Sequence, residues 1–142
     1  MKFAQQSQFG EEFEIAELMF DSAAQAVTAE GTRGSTGIAR QLLFQAGSVC
    51  IDMCMQPKLG SEAVVLIGQL LDSKHPDHGI KNISVQLLCE GNAISHKKTN
   101  DMGEFEFGIE GPQDLQLAFG IAGRRKLIVP LPSSRANEPT IA

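Results

Sequence analysis

Neither Trp nor Tyr occurs among the 142 residues of this chain. These residue types supply most aromatic anchors at protein interfaces and are typical of sugar-stacking surfaces. Their absence counts against carbohydrate binding, although that function stays the alternative to the one predicted below.

Positive charge is also scarce, because 12 Lys and Arg stand against 17 Asp and Glu and leave a formal net charge of −5 at pH 7. Such a chain has no surplus of basic side chains to neutralise phosphate groups. The composition therefore predicts that neither nucleic acid nor an anionic membrane is the main partner.

Long apolar runs are missing as well. No stretch approaches the roughly 18 apolar residues of a membrane span, and residues 1–12 lack the charged start and apolar stretch of a secretory signal. The three cysteines, Cys50, Cys54 and Cys89, cannot all pair within one chain, and a domain of this length needs no disulfide. We therefore expect a cytoplasmic protein.

The remaining composition, 42% hydrophobic and 20% charged residues, is sufficient for one compact domain with a buried core. We divide the chain into an N-terminal extension with one strand and a mobile linker (residues 1–38), a β-sandwich domain (39–132) and a disordered tail (133–142). The strand in the extension covers residues 13–20, where side chains alternate between two faces; a helix is the rival interpretation.

Short apolar segments follow one another at the close spacing that is typical of an all-β sandwich. Phe105, Phe107 and Ile109 share one face against Glu104, Glu106 and Gly108 in the clearest alternation of the chain. The run Glu90-Gly91-Asn92 indicates a hairpin turn. Residues 72–81 contain Pro76 and Gly79 and predict a loop. The predicted strands cover residues 39–45 (or a helical turn at 41–45), 48–56, 63–71, 83–88, 93–99, 104–109, 115–119 and 126–131.

Three motifs occur in order within residues 64–107. They are a strand of the type V-x-G-x-V-x-D, a strand of the type G-V-x-V-x-L and a turn and strand of the type T-x-x-x-G-x-F-x-F. The matching residues are Val65, Gly68 and Asp72; Ile83, Val85 and Leu87; and Thr99, Gly103, Phe105 and Phe107.

This order resembles the carboxypeptidase regulatory-like, or transthyretin-like, family of seven-stranded sandwiches. The first motif departs by one extra residue before its glycine, and Asn82 stands where the family often has glycine. The resemblance implies a Greek-key, Ig-like β-sandwich in which Gly103 adopts a positive φ in its turn while Phe105 and Phe107 fill the core.

A second resemblance covers the whole chain. Small stand-alone bacterial proteins of uncharacterised role carry FDS, RQLL and IDL-like segments before this module, and the matching residues here are 20–22, 40–43 and 51–53. The transthyretin-like module is non-catalytic in its family and serves as a folding aid, spacer or interaction surface. The resemblance therefore implies an interaction or regulatory module.

Few side chains indicate metal chemistry. Cys50 and Cys54 flank Asp52, but on a strand residues four apart are roughly 13 Å from each other, too far to share one zinc ion. His75 and His78 lie in one predicted loop and could bind a metal adventitiously, a question that the sequence leaves open. We predict no purpose-built metal site and no cofactor.

Catalytic motifs are also lacking. His96 follows Ser95, but no G-x-S-x-G turn surrounds a serine, and the GTRGSTG stretch at residues 31–37 lacks the lysine of a phosphate-binding loop. Some extracellular relatives of the family that this chain resembles form a Lys-to-Asn isopeptide bond, which needs a lysine in the first core strand; the matching residues 63–71 contain none. The sequence predicts that the chain is not an enzyme.

The predicted function is therefore binding of another protein through strand edges or through the loops after Asp72 and around Gly123. The basic clusters at residues 97–98 and 124–126 fit guards of strand edges, with an acidic partner as the alternative. The identity of the partner is not indicated, and a homo-oligomer is compatible with the sequence.

Overall fold

The computed structural model describes residues 13–23, 39–110 and 114–132, which form eleven strands in two packed sheets. The predicted all-β sandwich is confirmed. Most of the predicted linker and all of the predicted tail lie outside the described residues, so the domain boundaries at 38 and 132 stay predictions. The strands are β1 (Phe13–Ile15), β2 (Glu17–Asp21), β3 (Arg40–Ala46), β4 (Val49–Pro57), β5 (Ala63–Asp72), β6 (His75–Gly79), β7 (Ser84–Cys89), β8 (Asn92–Lys98), β9 (Glu104–Glu110), β10 (Leu115–Gly120) and β11 (Lys126–Pro130).

The first sheet has the strand order β1-β11-β10-β7-β8, and the second has β2-β3-β4-β5 with β9 and β6 on the far side of β5. Strand β9 pairs with residues 63–69 of β5, and β6 pairs with its last two residues. All pairs are antiparallel except β1 with β11. The Greek-key connectivity stays a prediction.

The core follows directly from the alternation in the sequence. Phe105, Phe107 and Ile109 on β9 are buried, and Glu106 and Gly108 between them are exposed. Phe105 of the second sheet meets Phe119 of the first edge to face, with ring centroids 5.5 Å apart. The aromatic side chains of the T-x-x-x-G-x-F-x-F segment therefore join the two sheets, as expected.

Gly68 makes room for one of these rings. It lies directly opposite Phe105 in the β5–β9 register, and a Cβ atom added at Gly68 would lie 2.3 Å from the Phe105 Cζ atom. A side chain at this position would displace the ring from the core, because real Cβ contacts are never that short. The glycine of the first motif is thus explained by packing.

The turn before β9 is built around buried Thr99 and exposed Asn100. The Thr99 hydroxyl donates to the Ile80 carbonyl at 2.8 Å and accepts from the Ile83 amide at 2.8 Å. The Asn100 Oδ1 accepts from the amides of Met102 and Glu104. The Thr99 bonds connect the turn to the segment that leads into β7, and the Asn100 bonds close the turn itself.

Two residues near this turn adopt the left-handed conformation. Gly103 has a φ of 80°, as the resemblance implied, and Asn82 has a φ of 59°. Asparagine tolerates this region better than most residues, which accounts for a residue other than glycine at position 82. Glu90 and Gly91 both have positive φ values, as a type I′ hairpin turn requires, so the predicted turn between β7 and β8 is confirmed.

Residues 72–81 differ from the predicted loop, because β6 lies within them. Asp72 pairs with His75 and Leu71 pairs with Gly79, with a register shift between the two pairs. Backbone pairing at the end of β5 prevails over the turn propensity of the segment, and its proline is tolerated because β6 is a short edge strand.

The segment from Phe13 to Asp21 also differs from the prediction of one strand, because it changes sheets at Ala16. Ala16 is buried, and its amide donates to the Ile128 carbonyl at 2.9 Å. Strand β1 before it runs parallel to β11 in the first sheet, and β2 after it runs antiparallel to β3 in the second. One short segment thereby contributes an edge strand to each sheet.

Among the described residues, no helix is long and apolar enough to cross a membrane.

Candidate functional site: the N-terminal edge

Exposed apolar side chains are concentrated in residues 13–21, which we call the N-terminal edge. Nine large hydrophobic residues are exposed in the described part of the chain, and five of them lie on this edge. They are Phe13 (43% exposed), Ile15 (60%), Leu18 (46%), Met19 (50%) and Phe20 (39%). A cluster of this kind on a small domain typically marks an interaction surface.

Two other edge strands, β8 and β9, are protected by charge. Strand β8 carries Lys97 and Lys98, and the exposed face of β9 carries Glu104, Glu106 and Glu110. Charged residues on an edge strand hinder pairing with another chain. Strand β2 instead has three successive apolar residues between its acidic ends, and it contains neither Lys nor Pro.

The Lys97 side chain of β8 lies close to the core beside β9. Its Nζ atom lies 6.0 Å from the centroid of the Phe107 ring, so this side chain lies over the core beside β9 and keeps its charge near the surface. The prediction that the cluster at residues 97–98 guards an edge fits this placement.

The N-terminal edge is held to the domain by two ion pairs. Near its start, the Arg124 Nη2 atom lies 3.3 Å from the Glu14 Oε1 atom and 3.4 Å from the Ala46 carbonyl oxygen. Arg124 was predicted to belong to an exposed basic cluster. The structure directs its guanidinium group toward β1 and β3, where it connects the turn at residues 121–125 to both sheets.

The second ion pair is between Asp21 and Arg40 at the end of β2. The Arg40 Nε atom donates to Asp21 Oδ1 at 2.9 Å, and Nη2 donates to Oδ2 at 2.7 Å. Asp21 Oδ1 also accepts from the Ala23 amide, and the Ser22 hydroxyl accepts from the Gln41 amide. Asp-Ser of the FDS segment therefore pairs with Arg-Gln of the RQLL segment, which gives these two sequence segments a physical role.

Arg40 holds the pKa of the Asp21 carboxyl group below its ordinary value of 3.8, chiefly through the two hydrogen bonds, while partial burial acts in the opposite direction. A carboxyl group with a lowered pKa in the folded state stabilises the fold above its unfolded pKa, and this contribution is lost as the pH falls through the folded pKa. The ion pair therefore stabilises the fold at neutral pH.

We expect Asp21→Asn to lower the free energy of unfolding by about 1 to 2 kcal/mol at neutral pH, because it removes a bidentate charged pair. The difference from the unsubstituted protein should stay constant down to about pH 5 and shrink below about pH 4. Urea unfolding at a series of pH values measures it. A difference that stays the same at about pH 3 would contradict the assigned ion pair.

The cysteines considered for a metal site lie on the outer face of the second sheet. Cys50 and Cys54 are four residues apart on the extended strand β4, on the same side as Asp52, and both are partly exposed. His75 and His78 are exposed on β6. Within the described ranges, no group of three or more His, Cys, Asp or Glu side chains is arranged to hold a metal ion.

His96 hydrogen-bonds with a serine that the sequence did not indicate. Its Nε2 atom lies 2.9 Å from the Ser84 Oγ atom on the neighbouring strand β7, in an exposed position. The pairing depends on the β7–β8 register, which shifts between Leu87 and Leu88, so no sequence signal reveals it. In the described part of the chain, no acidic side chain contacts His96 to orient it as the base of a nucleophile.

Comparison of the chain with protein-family models, with curated proteins and with solved structures found no match in any of the three.

Proposed function

We propose that this chain is a non-catalytic interaction module of the transthyretin-like type, with Greek-key connectivity, that binds another protein along its N-terminal edge. The observation that carries the proposal is the concentration of exposed apolar side chains on residues 13–20, at the edges of both sheets. Burying such side chains against a partner is favourable, at roughly 25 cal/mol for each Å² of apolar surface.

The family assignment is supported by the order of the three motifs and by what their residues do in the fold. Gly68 accommodates the Phe105 ring, Gly103 has a positive φ, and the Thr99 hydroxyl joins two segments of backbone. These are structural roles, which agree with a module whose interior carries no chemistry.

The loops named from the sequence are the less favoured surfaces. In the segment after Asp72, β6 already pairs with Leu71 and Asp72 of β5, and the turn around Gly123 is connected to β1 through Arg124. The edge-strand part of the prediction is retained, and the N-terminal edge is the surface we assign.

The carbohydrate-binding alternative would need aromatic side chains on the surface. Phe13 and Phe20 are the exposed aromatic residues in the described part of the chain. They lie on different sheets, so they do not make one flat platform for a sugar ring.

A photo-reactive amino acid at position 19 tests the proposal in cells that naturally produce the protein. The matched control places the same group at Ile94 on β8, because Met19 and Ile94 are almost equally exposed, at 50% and 55%. We expect irradiation to produce a discrete protein adduct from position 19 that is absent from position 94. The same adducts from both positions, or none from position 19, would overturn the proposal.

A further inference from the structure

We propose that the partner contributes an extended segment that adds to β2 as a further strand of the second sheet, with a basic side chain beside Glu17. The inference rests on the proposed function and specifies the chemistry of the partner. It follows from the backbone, the charges and the apolar side chains of β2.

The backbone of β2 is available for strand addition. In the described part of the chain, β2 pairs with β3 on one side and with no strand on its other side. An edge strand presents backbone N–H and C=O groups to the solvent, and an extended peptide can satisfy them by extending the sheet. The register of β2 against β3 shifts between Leu18 and Phe20, so an added strand would pair with the stretches on either side of Met19.

The acidic residues of the N-terminal edge indicate the charge of the segment that the partner contributes. The N-terminal edge contains three acidic residues, and two of them are neutralised within the domain: Glu14 by Arg124 and Asp21 by Arg40. Glu17 is exposed and forms no ion pair with any residue of the described ranges. A Lys or Arg on the incoming strand next to Glu17 would complement this charge.

Apolar side chains define the rest of the segment. Phe20 lies opposite Leu43 on the outer face of the sheet. Leu18 lies opposite the buried Phe44, on the face of the sheet that is turned toward the core. An added strand would cover both if apolar residues on its two faces lie beside Leu18 and Phe20. The segment that fits is therefore extended, apolar on both faces and basic at one end.

A second copy of this chain fits less well. If two β2 strands paired antiparallel, neither would offer Glu17 of the other a basic side chain, because β2 contains no Lys or Arg. Each chain also has a net charge of −5, so two copies repel each other. The charge pattern favours a basic segment of a different protein.

The test uses two labelled synthetic peptides and the full chain. Both peptides are apolar on both faces because they alternate Val and Ile over six residues, and one begins with two lysines where the other begins with two glutamates. Fluorescence anisotropy measures their affinities. We expect the lysine peptide to bind about tenfold more tightly than the glutamate peptide at low salt, with the preference decreasing as salt is added.

Charge reversal locates the interaction. Glu17→Lys should invert the peptide preference, whereas Glu106→Lys, which reverses an exposed acid on β9, should leave it unchanged. Bound lysine peptide should also slow amide hydrogen exchange in residues 17–21 and not in β8. Equal affinities for the two peptides, or a preference unaffected by Glu17→Lys, would overturn the inference.

The two proposals can fail separately. If the photo-adduct forms at position 19 but the peptides bind equally, β2 is an interaction site for a partner of different chemistry. If the adduct consists of two copies of this chain, the basic partner is wrong and the edge mediates self-association. If no adduct forms and no peptide binds, both proposals are wrong.

Discussion

Gly103→Ala is expected to destabilise the fold by about 3 to 5 kcal/mol, enough to unfold a domain of marginal stability. Two effects combine at this position. Gly103 has a φ of 80°, where a residue with a side chain is strained by about 1 to 2 kcal/mol. An added Cβ atom would also lie 2.4 Å from the Leu70 carbonyl oxygen, a backbone atom that cannot rotate away. Circular dichroism during urea unfolding measures the loss.

Gly123→Ala is the matched control for this prediction. Its φ of 78° is nearly the same, but an added Cβ atom would have no neighbour within 4 Å. We expect it to cost only the conformational strain, about 1 to 2 kcal/mol. Equal losses for the two variants would show that the close backbone approach at Gly103 is wrong.

Phe105→Ala is expected to cost about 3 to 5 kcal/mol, because it removes a buried ring that contacts both sheets and leaves a cavity. The ring is 5% exposed and lies edge to face against Phe119 of the other sheet. Denaturant unfolding measures the loss. A loss below about 1 kcal/mol would contradict the assignment of β9 to the core.

Gly68 provides an independent test of the same packing. We expect Gly68→Ala to cost about 1 to 3 kcal/mol in the unsubstituted protein and little when combined with Phe105→Ala, because the clash then disappears. Gly108→Ala, on the neighbouring strand and with no atom within 4 Å of an added Cβ, should change stability by less than about 0.5 kcal/mol. Additive losses at positions 68 and 105 would contradict the contact.

Period-two alternation was sufficient to predict most strands of the two sheets. It placed Phe105, Phe107 and Ile109 in the core because side chains on a strand alternate between its faces whatever its neighbours are. The positive φ at Gly103 could also be anticipated, since the turn residues around it leave few alternatives. These features depend on short stretches of sequence.

The features that were not predicted from the sequence depend on pairing between distant residues. The change of sheets at Ala16 requires the Ile128 carbonyl, and β6 requires the end of β5, so neither has a local signal. Arg124 was predicted to be part of a basic cluster, but in the fold it forms an ion pair with Glu14. A local pattern cannot specify which distant partner a backbone amide or a charge will find.

Only the kind of surface that forms the candidate site, a strand edge, was predicted from the sequence. Strand edges were named, but the sequence could not show which strands are terminal or that residues 13–21 contribute to both sheets. Exposure of Leu18 and Met19 follows from their position at the edge, because the same residues on a central strand would be covered.

Amide hydrogen exchange along the N-terminal edge tests most directly whether this segment is docked to both sheets and still open to a partner. We predict slow exchange at Ala16, whose amide bonds to the Ile128 carbonyl, and fast exchange at the amides of β2 that point away from β3. Fast exchange at Ala16 would show that the segment is not docked. Slow exchange at every residue from 17 to 21 in the isolated protein would show that the edge is already covered.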